Sequence, residues 1–175
     1  MQLNQKETSY LKDAASQEQL CLSLYQQYSQ KVQDPQLAQI LQTIAQQEQQ
    51  HLQTIKQLQQ GQVPNTQSGQ QGGGQQQGFM GQQGGGPTGG GMQMQNLAAG
   101  GAQMGGQASQ QSPDKQVCEE LLSIEKAVSD LYDHAVFEFT NQQARKTLEH
   151  IQQEEHDHGF MLWQYMNQQG WYQTQ

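Results

Sequence analysis

The sequence predicts an all-α protein, a four-helix bundle built from two repeated helical hairpins with a long Gly/Gln-rich crossover between them. Three observations predict it. Apolar residues recur at helical spacing in residues 1–60 and 114–175, which also hold every charged side chain. Between them, residues 61–113 carry 17 of the 19 glycines, 15 glutamines and no charge. Shifting the chain by 107 residues lays the second flank on the first, aligning Glu18 with Glu125, Leu24-Tyr25 with Leu131-Tyr132, Leu41 with Leu148, Glu48 with Glu155 and His51 with His158.

Each helix has its own start and stop signals. The first is expected near residues 4–32, with an inward seam of Leu11, Ala14, Glu18, Cys21, Tyr25, Tyr28 and Val32. Asp34-Pro35 supplies an N-cap and a first-turn proline for the second helix, near 35–60, whose seam is Leu37, Leu41, Ile44, Glu48, His51, Ile55 and Leu58. Ser112-Pro113 repeats the device for the third, near 113–138, with seam Cys118, Leu121, Glu125, Val128, Tyr132, Ala135 and Phe139. Thr140 or Asn141 caps the fourth, near 141–169, with seam Ala144, Leu148, Ile151, Glu155, His158, Leu162 and Tyr165. Gly61 and Gly170 stand where C-terminal glycine caps belong. The up-down-down-up order follows if residues 61–113 cross outside the bundle. That stretch is too glycine-rich and too poor in apolar residues to offset the entropy of ordering, so a disordered tether is expected.

Composition narrows the function. Of 175 residues 44 are glutamine, and the hydrophobic share is only 33%, so the core must be concentrated in the flanks. A net charge of −8 disfavours nucleic acid and anionic membrane as partners and favours cations. Because no run reaches the roughly 20 apolar residues of a membrane span and Met1 to Asp13 lacks an apolar stretch, synthesis in the cytoplasm without membrane insertion is expected. Cys21 and Cys118 have no metal-site or disulfide spacing and read as buried apolar residues.

The chemistry lies in six ionisable residues on the seams: Glu18, Glu48, His51, Glu125, Glu155 and His158. Two helices give a single Glu and two give Glu-x-x-His at i and i+3. Carboxylates buried alone would forfeit several kcal/mol of hydration each, so such a core protonates its acids, pairs them or fills with cations. Two divalent ions balance four carboxylates, and this donor pattern is that of the ferritin-like di-iron and di-manganese bundles. Oxygen donors with one imidazole per metal suit two iron or manganese ions. The alternative is a polar layer of protonated acids and histidines that fixes helix register and takes up no metal. His150, His156 and Asp157 fall off the seam and read as solvated. His134 reads as a partly exposed helix residue, and the aromatic run Trp163 to Tyr172 as packing on the bundle end or on a partner.

The segments SQEQLC around Glu18, DPQL at the second helix start, QQEQQHLQT around Glu48 and His51, and LLSIEKAVSDLYDHA around Glu125 resemble the spore coat protein F family of bacteria. The resemblance covers both flanks. It implies a ferritin-like fold and a structural place in the endospore coat, after synthesis in the mother-cell cytoplasm, with other spore coat proteins and further copies of the chain (a homo-oligomer) as partners. Exposed glutamines such as Gln75, Gln76 and Gln77 would suit transglutaminase cross-linking. The rival expectation is a di-iron or di-manganese oxidoreductase, peroxide-consuming or ferroxidase-like, built on the same six residues.

Overall fold

A computed structural model describes residues 1–64 and 112–172. The Gly/Gln-rich tether, with Gln75, Gln76 and Gln77, lies outside the described residues apart from its two ends. Among the described residues there are four helices and no strand: α1 (Gln5–Ser29), α2 (Pro35–Gln59), α3 (Pro113–Glu138) and α4 (Gln142–Gln168). α3 begins at Pro113, where the Ser112-Pro113 pair places its start.

Local chemistry sets the helix ends. Asn4 and Glu7 form a reciprocal capping box on α1, each side chain accepting from the other's backbone N–H at 2.9 and 2.8 Å. Asp34 caps α2 through the N–H of Gln36, and Asn141 caps α4 through the N–H of Ala144. Ser112 occupies the corresponding place before α3 but makes no side-chain capping bond. Gly61 and Gly170 both take positive φ, 75° and 70°, beyond the ends of α2 and α4.

α1 lies against α2 and α3, and α4 lies against α3 and α2, so the helices form a square. Asp114, in the first turn of α3, accepts hydrogen bonds from the backbone N–H groups of Gln33 (3.0 and 3.1 Å) and Asp34 (2.9 Å) between α1 and α2. Glu7, at the start of α1, accepts from the N–H and hydroxyl of Thr140 between α3 and α4, at 2.8 and 2.9 Å. These two buried carboxylates fix the direction of every helix: α1 up, α2 down, α3 down, α4 up. α2 ends and α3 begins at opposite ends of the bundle, so their connection covers about 37 Å of axial distance at 1.5 Å per residue.

The seams expected for α2, α3 and α4 are buried throughout. In α1 the seam holds to Tyr25 and then departs from the expected line. The helix ends at Ser29, Leu22 and Ser29 turn inward, and Tyr28 and Val32 are only half-buried, with the Tyr28 phenol donating to Glu120 at 2.8 Å near the surface. Both cysteines are buried and free, and burial pushes the thiols of Cys21 and Cys118 upward. From the C-terminal aromatic run, Tyr165 and Met166 enter the core and Trp171 packs edge-on to Tyr165 at 5.7 Å. The Tyr165 phenol donates to Asp34 at 2.8 Å, tying the end of α4 to the cap of α2.

Candidate metal centre

All six seam residues converge at mid-height in the bundle, none more than 2% exposed. Glu18 comes from α1, Glu48 and His51 from α2, Glu125 from α3, Glu155 and His158 from α4. The i, i+3 spacing of each Glu-x-x-His pair puts both donors on the stripe facing the bundle axis. Aliphatic neighbours one turn away, Ile44 and Ile55 on α2 and Ile151 and Leu162 on α4, close the layer above and below.

Donor atoms gather into two groups. In the first, one atom each of Glu18, Glu48, His51 and Glu155 lie within 4.8 Å of one another; in the second the same holds for Glu48, Glu125, Glu155 and His158. Glu48 and Glu155 belong to both groups. Across the bundle His51 Nδ1 lies 2.9 Å from Glu155 and 3.5 Å from Glu18, and His158 Nδ1 lies 3.2 Å from Glu48 and 3.7 Å from Glu125. The imidazole rings stack at 5.5 Å. Every one of these contacts has a counterpart under the 107-residue shift.

Although close, these donors do not satisfy one another. Both oxygens of Glu48 and of Glu155, one each of Glu18 and Glu125, and Nδ1 of both histidines are buried without a well-aligned hydrogen bond, although ion-pair contacts as short as 2.9 Å link some of them. Most buried polar atoms in proteins are well paired, so eight such atoms in two adjoining groups fit a cation-binding site. Four carboxylates, two of them shared between groups, would also balance the charge of a pair of divalent ions.

Electrostatics distinguish residues that the geometry treats alike. Burial pulls the imidazoles of His51 and His158 down, but the surrounding carboxylates outweigh it and raise them to about 12 and about 11. Burial, reinforced by neighbouring acids, raises Glu48 and Glu125 despite His158. Glu155, equally buried, is held low because both histidines act on it.

Periodicity puts Tyr25 and Tyr132 on their seams but does not say which groups they meet. Tyr25 donates its phenol to Glu125 and Tyr132 donates to Glu18, each from the opposite hairpin. Burial, with the adjacent glutamate, holds both phenols well above their ordinary range. Glu154 places Oε2 3.0 Å from His51 Nε2. Under the 107-residue shift Gln47 corresponds to Glu154 and His158 to His51, and His158 Nε2 has no hydrogen-bond partner. The signal for Glu154 was present as the acid immediately before Glu155, yet its side chain is 30% exposed and periodicity alone puts it outside the seam. His134, His150, His156 and Asp157 are exposed and take no place among the six donors, as expected. His134 Nδ1 meets the carbonyl of Asp130 at 2.8 Å, and His150 lies 3.6 Å from Glu154.

No helix among the described residues is long and apolar enough to cross a membrane. No curated protein and no solved structure matches the chain. Residues 113–175, which comprise α3 and α4 with half of the donor set, match the model of the Coat F domain. This C-terminal hairpin is thus similar to the Coat F domain of the spore coat protein F family, which points to the spore coat as the chain's place.

Proposed function

We propose that the protein is a structural component of the coat whose ferritin-like bundle is locked by a buried pair of iron or manganese ions. The observation that carries this is the set of orphaned donors in two four-residue groups sharing Glu48 and Glu155. The up-down-down-up helix order, with one connection running the length of the bundle, and the Glu, Glu-x-x-His donor pattern support the ferritin-like assignment. Equivalent contacts in the two halves support two hairpins of one design.

Glu18 and His51 would hold one ion and Glu125 and His158 the other, with Glu48 and Glu155 between them. The ions would supply positive charge to a carboxylate layer that otherwise depends on protons. Tyr25 and Tyr132 orient the two terminal glutamates, and Glu154 orients His51. Other coat proteins and further copies of the chain are the partners this role calls for.

The test compares Glu48→Gln with wild type in metal-loaded and chelated protein. A metal-locked bundle loses melting temperature in the loaded variant, while the chelated variant is unchanged or slightly more stable because one buried acid is gone. Equal shifts in both samples identify a polar layer that takes up no metal. Sustained peroxide consumption by the loaded wild type would favour the oxidoreductase instead.

A further inference from the structure

The two faces of the bundle are not equivalent around the centre. Between α3 and α4 an open groove of about 490 Å³ reaches inward to Glu125 and Glu155, both at least 98% buried from solvent as whole residues. Its walls include Ser129 and Gly159. Under the 107-residue shift these positions correspond to Leu22 and Leu52 in the first hairpin, which are 5% and 2% exposed and belong to the core. The groove on the α1–α2 face, about 800 Å³, is lined mainly by glutamines, including Gln42, Gln46, Gln49 and Gln53, and reaches none of the six donors. One hairpin closes its face over the centre with leucines; the other leaves an opening.

We propose that the groove between α3 and α4 is the port through which divalent cations reach the buried carboxylates, held open by Ser129 and Gly159. Glu125 and Glu155, which carry unpartnered buried oxygens, line its inner end. At the mouth stand the exposed carboxylates of Asp130 and Asp133, opposed among the lining residues by the ammonium of Lys126. With the two glutamates below, the groove favours cations over anions along its length. Gly159 matters because a Cβ there would already touch Leu122 at 3.6 Å and the Cβ of Glu125 at 3.8 Å. Those are ordinary contacts, so the helix accepts a side chain, but a large one would lie across the glutamate. Glycine is otherwise a poor choice in the middle of a helix.

The port rests on the proposed cation centre, and the experiment separates the two. Stopped-flow loading with Co(II), read by its visible absorption, gives the rate, and the end point gives ions per chain. Gly159→Leu is expected to slow loading at least 10-fold at an unchanged end point. The double variant Asp130→Asn, Asp133→Asn, confined to exposed positions and so safe for folding, is expected to slow loading several-fold at low ionic strength and to lose that effect at high salt. If wild type takes up no Co(II), the centre and the port fall together. If wild type fills and both variants load at its rate, the port alone is overturned.

Discussion

The phenol of Tyr25, on the first hairpin, donates to the carboxylate of Glu125, on the second. Its counterpart by the 107-residue shift, Tyr132, donates to Glu18. Each tyrosine lies about 10 Å along its own helix from its own glutamate, so the pairs exist only because α1 and α3 run antiparallel and bring 25 beside 125 and 132 beside 18. These reciprocal bonds cross the seam between hairpins at the level of the donor cluster.

Removing either phenol leaves a buried carboxylate short of a donor. Tyr25→Phe and Tyr132→Phe should each lower unfolding free energy by about 1–3 kcal/mol, the range for an unsatisfied buried polar group. Urea denaturation of the two variants checks the size, and similar losses are expected because the two environments correspond.

The Glu7 carboxylate, at one end of the bundle, should respond to acid rather than metal. Burial pushes the Glu7 carboxyl up, but hydrogen bonds from the backbone of Thr140 and Asn4 outweigh it and hold it below its usual value. A carboxyl lowered by folding stabilises above its unfolded pKa, and that contribution is lost as pH falls through the folded value. Glu7→Gln should therefore cost roughly 1–3 kcal/mol at pH 7 and little near pH 2. Thermal melts across that pH span check it, with equal losses expected in loaded and chelated protein.

How much of this was legible follows from what periodicity measures. A 3-4 repeat reports which way a residue faces on its own helix, and so it placed Glu18, Glu48, His51, Glu125, Glu155 and His158 at one level of one core. It carries no register between helices, which is why the Tyr25–Glu125 and Tyr132–Glu18 bonds do not appear in it. Glu7 and Asp114 escaped for another reason. They correspond under the same shift, and so do Gln33 and Thr140 whose backbones they bind, but the residue types differ and identity alone does not align them. The pattern sets Val32 too deep because it continues beyond Ser29, where the helix stops, and Tyr28, in the last turn, instead turns towards the surface to donate to Glu120.

Glu154 makes the two donor groups unequal. A carboxylate behind a ligating imidazole fixes its orientation and raises its basicity, and losing such a partner typically costs about 10–100-fold in metal affinity. Glu154→Gln should weaken the group containing His51 by that order and leave the group containing His158 nearly unchanged. Gln47→Glu should tighten the latter. Stepwise Co(II) titration, followed by isothermal calorimetry, separates the two affinities.

The central claim is that the orphaned donors hold a pair of metal ions, and metal per chain tests it most directly. Wild-type protein loaded anaerobically with Fe(II) or Mn(II), desalted and analysed by plasma mass spectrometry should carry two ions per chain. Glu48→Gln, which alters a residue shared by both groups, should carry fewer than one. Wild-type protein that retains no metal after stoichiometric loading, or a variant that retains as much as wild type, would contradict the account.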